Sequence, residues 1–161
     1  MSSTWVANAS PLIALGSIGC IDVLPSLCAD LLIPEGVAQE VARGPASDPA
    51  RAWVQEHGQR FIHAMGGLSP VVAAWDLGLG ESQVLSVCCK QQGREAILDD
   101  RAARRCATAL GVPARGTLAV IILAKRRGLI PAVRPLFDEL AAKGFHADSA
   151  VLERALHLAG E

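Results

Sequence analysis

The stretch Ala96-Ile97-Leu98-Asp99-Asp100-Arg101 constrains this chain most. Three apolar residues run straight into two adjacent carboxylates, and a helix-like segment, Ala102 to Ala107, follows at once. A short apolar run bounded by polar residues reads as a buried strand of a parallel sheet. In open α/β sheets, ligands sit just beyond the carboxyl ends of such strands. Two neighbouring acids there repel each other unless something positive lies between them, and a divalent cation does that with oxygen ligands alone. The plainer reading is that Asp100 caps the helix it precedes.

The remaining segments alternate in the same way. Trp5-Val6-Ala7 reads as a first strand, ended by Asn8. Ser10 reads as an N-cap and Pro11 as a first helical residue, with the helix running from Leu12 to Ile18 and stopping at Gly19. Asp22 starts a short helix through Leu27. Leu31-Leu32-Ile33 reads as a second strand, and Pro34 opens a helix over Glu35 to Arg43 that carries Glu40. A helix is expected over Ala50 to His57 and an edge strand over Phe61 to Ala64. Ser69-Pro70 starts a further helix. Gly78-Leu79-Gly80-Glu81 breaks it and begins another, Glu81 to Lys90. After the acidic pair come a helix to Leu110, a brief strand Val112-Pro113-Ala114, and helices over Leu118 to Arg127, Ala132 to Lys143 and Asp148 to Ala159. Strand–helix alternation of this kind specifies an α/β fold with a parallel sheet and right-handed crossovers. The 161 residues suit one domain over 1–161, with the helices from about residue 131 as an extension of it.

Composition narrows the function classes. Apolar residues make up 51%, which argues against disorder. Fifteen basic and sixteen acidic residues leave a net charge of −1, so any basic surface for nucleic acid must be local. Aromatic residues are 4% with no Tyr, too few for an extended base-stacking platform. The five cysteines contain no C-x-x-C pair and read as small apolar residues of a reducing compartment. The N-terminus lacks the charged and apolar regions of a signal peptide, and no apolar run is long enough for a membrane span, so a cytoplasmic protein is expected. No G-x-G-x-x-G follows a strand, no G-x-x-x-x-G-K-[ST] occurs, Ser10 lacks a G-x-S-x-G elbow, and the four histidines show no ligand spacing.

Candidate site residues therefore lie at strand ends and helix starts: Asn8, Glu40, Glu81, Asp99 and Asp100. Each has an ordinary role available, as a turn residue, a helix-dipole partner or a solvated charge. Arg101 and Arg104 share a helix face, as do Arg101 and Arg105, suited to phosphates or simply to solvent.

Several stretches carry a resemblance. Val6 to Leu15, Leu32 to Val41, Gly78 to Gln83, Ile97 to Arg104, Gly116 to Leu118 and Ala124 to Pro131 resemble, in order, segments of PIN-domain proteins, specifically the branch called domain of unknown function 3368. The resemblance implies a three-layer α/β sandwich with four or five parallel strands in order 3-2-1-4-5. It implies a Mg²⁺- or Mn²⁺-dependent ribonuclease, in many relatives the toxin of a toxin–antitoxin pair. Its expected partners are an RNA substrate, a small antitoxin protein and a second copy of the chain. By position, Glu40, Glu81 and Asp100 fall on the family's catalytic acids, with Asn8, Glu40, Glu81, Asp99 and Asp100 as the metal ligands. Ser10, Arg101, Arg104 and Thr117 are expected to contact phosphate or RNA, Thr117 having a helix cap as its ordinary role. Asn8 stands where the family usually has Asp, which weakens cation binding by one charge. The alternative is a catalytically weakened module that binds nucleic acid or protein without cutting.

Overall fold

A computed structural model describes residues 3–161. Five strands form one parallel sheet in the order β3-β2-β1-β4-β5: β1 Thr4–Ala7, β2 Asp30–Pro34, β3 Ile62–His63, β4 Arg94–Ile97 and β5 Ala114–Arg115. The central strand β1 pairs Val6 with Leu32 on one side and with Ala96 on the other. Its last three residues are buried, as a strand flanked on both sides requires.

The connections set the layers. From β1 to β2 the chain passes through α1 Ala9–Ser17 and α2 Val23–Leu27, and from β2 to β3 through α3 Glu35–Ala42 and α4 Pro49–Trp53. It then reverses direction across the sheet, from β3 through α5 Pro70–Ala73 and α6 Leu79–Lys90 to β4, and through α7 Arg101–Ala109 to β5. Right-handed crossovers running in opposite directions place their helices on opposite faces. α8 Thr117–Arg126, α9 Arg134–Ala142 and α10 Ser149–Leu158 complete the chain, with α8 packing on α1, α2 and α10. The expected α/β sandwich and strand order are both observed.

The strand order reverses between β1 and β4, so their carboxyl ends define the switch point of the sheet. The backbone N–H of Asn8 donates to the carbonyl of Ile97 at 2.9 Å and fastens the two ends together.

Several boundaries differ from the sequence reading for identifiable reasons. α1 starts at Ala9 with Asn8 in the N-cap position, so Ser10 lies inside the first turn, exposed, and is not the cap. Asp22 precedes α2, but its carboxylate accepts from the Trp53 indole at 2.7 Å rather than capping the helix. The helix expected to His57 stays α-helical only to Trp53, then widens into a π turn at Val54–Gly58 and a 3₁₀ turn at Gln59–Phe61. β4 begins at the polar residues Arg94 and Glu95. The Glu95 carboxylate accepts from Ser3, the Trp5 indole and Arg115, so a charged residue sits comfortably in a half-buried strand. β5 starts later than expected because Pro113 has no N–H to donate. Its carbonyl still accepts from Ala96 at 2.8 Å.

The apolar run Leu118 to Ala124 is largely spent on the chain's own core: Val120, Ile121, Ile122 and Ala124 are buried. The five cysteines are free thiols, and burial pushes Cys88 up to about 12 and Cys28 up to about 11, which suits packing rather than reactivity. The Glu161 carboxylate fastens α10 to the α8–α9 junction. It pairs with Lys125 and accepts from the backbone N–H groups of Val133 and Arg134, which together hold its pKa down at about 2. Among the described residues no helix is long and apolar enough to cross a membrane.

Candidate metal and nucleic-acid site

Three of the five expected ligands meet around Gly80. Asn8 closes β1 and is buried, with 1% of its surface exposed. Its amide Nδ2 donates to Glu81 Oε1 at 3.1 Å, which joins the end of the central strand to the first turn of α6. Its carbonyl Oδ1 is buried and has no hydrogen-bond partner. A buried amide oxygen left unpaired costs about 1–3 kcal/mol, so its persistence needs a reason.

Gly80 supplies the geometry. A Cβ at this position would lie 2.9 Å from Asn8 Oδ1 and 3.0 Å from Glu40 Oε2. Both oxygens approach one point, so they are at most about 6 Å apart. Gly78 does the same for Glu81, whose Oε2 would lie 2.5 Å from a Cβ there. The G-x-G-E spacing, only a fragment as a sequence motif, is thus a pair of side-chain omissions, one leaving room for Asn8 Oδ1 and Glu40 Oε2 and the other for Glu81 Oε2.

A second interaction holds Glu40 in register. The buried Gln83 side chain on α6 accepts from the backbone N–H of Gly36 on α3 at 2.8 Å. A Cβ on Gly36 would lie 2.5 Å from that same oxygen. Gly36 and Gln83 therefore fix how closely α3 and α6 approach, and hence where Glu40 hangs relative to Glu81. Neither residue stands out in the sequence, since an isolated helical Gly or Gln carries no chemical signature.

Asp99 and Asp100 are engaged differently. Asp99 Oδ1 accepts from the Thr117 backbone N–H at 2.8 Å, and its Oδ2 accepts from the Thr117 hydroxyl at 2.6 Å. Thr117 is fully buried, so its hydroxyl is spent on Asp99 rather than offered to a phosphate. The N-cap position of α8 is Gly116, not Thr117. Asp100 is exposed and caps α7, with Oδ2 accepting from the Ala103 N–H at 2.9 Å. That cap uses one of its two carboxylate oxygens.

Beside Asp99 and Gly116 opens a cleft of about 1110 Å³ between α7, α8 and α10. Arg101, Arg104, Arg105 and Arg154 line it together with His146, over a floor that includes Leu118 and Ile122. Arg104 Nη1 leans back toward Leu98 O at 3.5 Å. Arg154 and His146 join this basic wall only through the packing of α10 and the preceding loop, which sequence spacing does not reveal.

The model of domain of unknown function 3368, described as a PIN domain, matches residues 4–161. The chain belongs to this family. No curated protein matches it. PIN domains are generally nucleases and usually use divalent metals. Among the described residues no three His, Cys, Asp or Glu side chains gather closely enough to hold an ion. The amide oxygen of Asn8 is a further oxygen donor beside the two carboxylates, and it carries no charge. Asn8 Oδ1, Glu40 and Glu81 are all hard oxygen donors of the kind Mg²⁺ and Mn²⁺ take. Asn8 Oδ1 is both buried and unpaired, and on that ground the residues fit a divalent cation.

Proposed function

We propose that the chain is a Mg²⁺- or Mn²⁺-dependent endoribonuclease, acting as the toxin of a toxin–antitoxin pair. The observation that carries this reading is the buried, unpartnered Asn8 Oδ1, set beside the carboxylates of Glu40 and Glu81 at the switch point of the sheet. In this reading Asn8, Glu40 and Glu81 hold the ion. Asp100 lends its uncapped oxygen from the adjoining strand end to the water shell of that ion rather than to the ion itself, and Asp99 orients the start of α8 through Thr117. A bound cation there would supply Lewis acidity toward the scissile phosphate and lower the pKa of the attacking water. Arg101 and Arg104 hold the flanking phosphates, and exposed Ser10 stands at the start of α1 to accept another. The small antitoxin and a second copy of the chain are the protein partners of this reading. The exposed Val151 and Leu158 of α10 offer one apolar surface for such an interaction.

The deciding experiment is cleavage of a structured RNA with Mn²⁺ and with chelator. Cleavage is expected only with the metal, and undiminished cutting in chelator overturns the assignment. A second reading, a module that binds RNA without cutting it, is favoured by the engagement of Asp99 and by the neutral Asn8; retained binding with no Mn²⁺-dependent cleavage would establish it.

Two further outcomes test the parts. Asn8→Asp replaces the Nδ2 donor with a carboxylate oxygen facing Glu81, so like charges repel when no cation is present. The variant is expected to melt below the native protein in chelator and above it in saturating Mn²⁺, because a ligand that binds only the folded state stabilises it. Melting curves that keep the same order under both conditions would show that residue 8 does not face the ion. Replacing Arg101 and Arg104 together by Ala is expected to weaken RNA binding and to flatten the log–log salt dependence by about 1.4, since each neutralised phosphate of a single strand adds about 0.7 to the slope. An unchanged slope places both arginines outside the RNA path.

A further inference from the structure

The chain has three tryptophans, and they are treated very differently. Trp5 and Trp53 are 2% and 6% exposed, and each indole N–H is hydrogen-bonded, to Ser3 and Glu95 and to Asp22 respectively. Trp75 is 40% exposed, and among the described residues its indole N–H has no partner. It sits in the connection from the edge strand β3 to α6, six residues before Glu81, so it belongs to the same edge of the sheet as the acids. The arginine-lined cleft lies on the other side of them, at β4 and β5.

The segment around Trp75 is built to hold it outward. Ser69 N–H donates to the buried Ser86 Oγ at 3.0 Å, and Val72 is fully buried beneath the loop. On the far side the Leu77 carbonyl accepts from Ser82. Between these anchors the backbone turns tightly: Trp75 N–H donates to Val72 O at 3.0 Å, and Asp76 takes φ +53. Left-handed φ is uncommon outside glycine and is tolerated best by Asn and Asp. A large ring displayed on a pinned turn loses little freedom when something stacks on it.

We propose that Trp75 is a nucleobase-stacking residue of this site, taking an unpaired base next to the scissile phosphate at the cation position of Asn8, Glu40 and Glu81. The proposal rests on the nuclease reading and adds the interaction that selects unpaired over duplex nucleotides. Stacking is open to every base because each has a π-face, so Trp75 sets strand state rather than sequence.

The test measures binding of a short single-stranded oligoribonucleotide in chelator, read by tryptophan fluorescence and by anisotropy of a labelled strand. Quenching is expected in the native protein and absent in Trp75→Ala, since the other two indoles are buried. Trp75→Ala is expected to bind about 5- to 100-fold more weakly, with Trp75→Phe recovering most of the loss and both melting like the native protein. A series of strands abasic at one position each should contain one that costs the native protein the same factor and costs Trp75→Ala nothing. Native binding by Trp75→Ala overturns the proposal. So does a change in self-association with RNA binding intact, which would make Val71, Trp75 and Leu79 a protein-binding surface. If the native protein neither binds an oligonucleotide in chelator nor cuts RNA with Mn²⁺, the nuclease reading falls with it.

Discussion

Glu81→Gln and Glu40→Gln are each expected to lower Mn²⁺-dependent RNA cleavage by at least about 100-fold while the melting temperature in chelator stays near the native value. Even outer-sphere partners of a bound metal are worth about 10–100-fold when removed, so loss of a direct carboxylate ligand should cost no less. The glutamines keep the shape and one carbonyl oxygen each. In Glu81→Gln the side-chain carbonyl can still accept from Asn8 Nδ2, so the link between β1 and α6 survives and only the charge is lost. Glu40 is exposed and forms no ion pair among the described residues, so its neutralisation leaves the core untouched. Native cleavage by either variant would remove that residue from the site.

Asp100 needs a paired comparison, because its carboxylate already has a structural task. Asp100→Asn keeps a good N-cap and removes the charge, whereas Asp100→Ala removes both and costs about 1 kcal/mol of stability. In the proposed mechanism both variants lose cleavage and only the alanine variant loses stability. An active Asp100→Asn protein would leave Asp100 as a helix cap and nothing more.

The sequence was explicit about what local chemistry encodes. Apolar runs ending in acids marked strand ends, and β-to-α alternation with no hairpin signal left little room for any class but a parallel sheet. The exact topology came with the family resemblance, since no pattern within β1 says that β4 rather than β3 lies beside it. What stayed hidden was decided by distant groups. Asp99 and Asp100 look equivalent in sequence, yet one is bound through both oxygens to Thr117, eighteen residues on, and the other caps its own helix. Asp22 looks like a cap and serves the Trp53 indole instead. Arg94 and Glu95 read as outside the strand until Ser3, Trp5 and Arg115 supply partners for the Glu95 carboxylate. The glycines were the least legible of all, because what Gly80 contributes is the atom it lacks.

Gly80→Ala is accordingly expected to separate activity from stability. Gly80 is the second residue of α6 and has an ordinary helical backbone, so alanine fits its conformation and favours the helix by up to about 1 kcal/mol. The added methyl meets only the ends of two side chains at short range, Asn8 Oδ1 at 2.9 Å and Glu40 Oε2 at 3.0 Å, while Val37 at 3.5 Å is at an ordinary van der Waals distance. Asn8 is enclosed and tied to Glu81, so it cannot retreat far; Glu40 is exposed and swings away. The melting temperature in chelator should therefore stay within about 3 °C of native. The rise in melting temperature with Mn²⁺ should shrink or vanish, and cleavage should fall about 100-fold, as for a missing ligand. Gly67→Ala, where a Cβ meets nothing within 4 Å, is the matched control and should be silent in all three measurements. A Gly80→Ala protein that cuts RNA normally and still gains stability from Mn²⁺ would mean that Asn8 and Glu40 do not share an ion, since two oxygens cannot both keep hold of it while a methyl group is wedged against each.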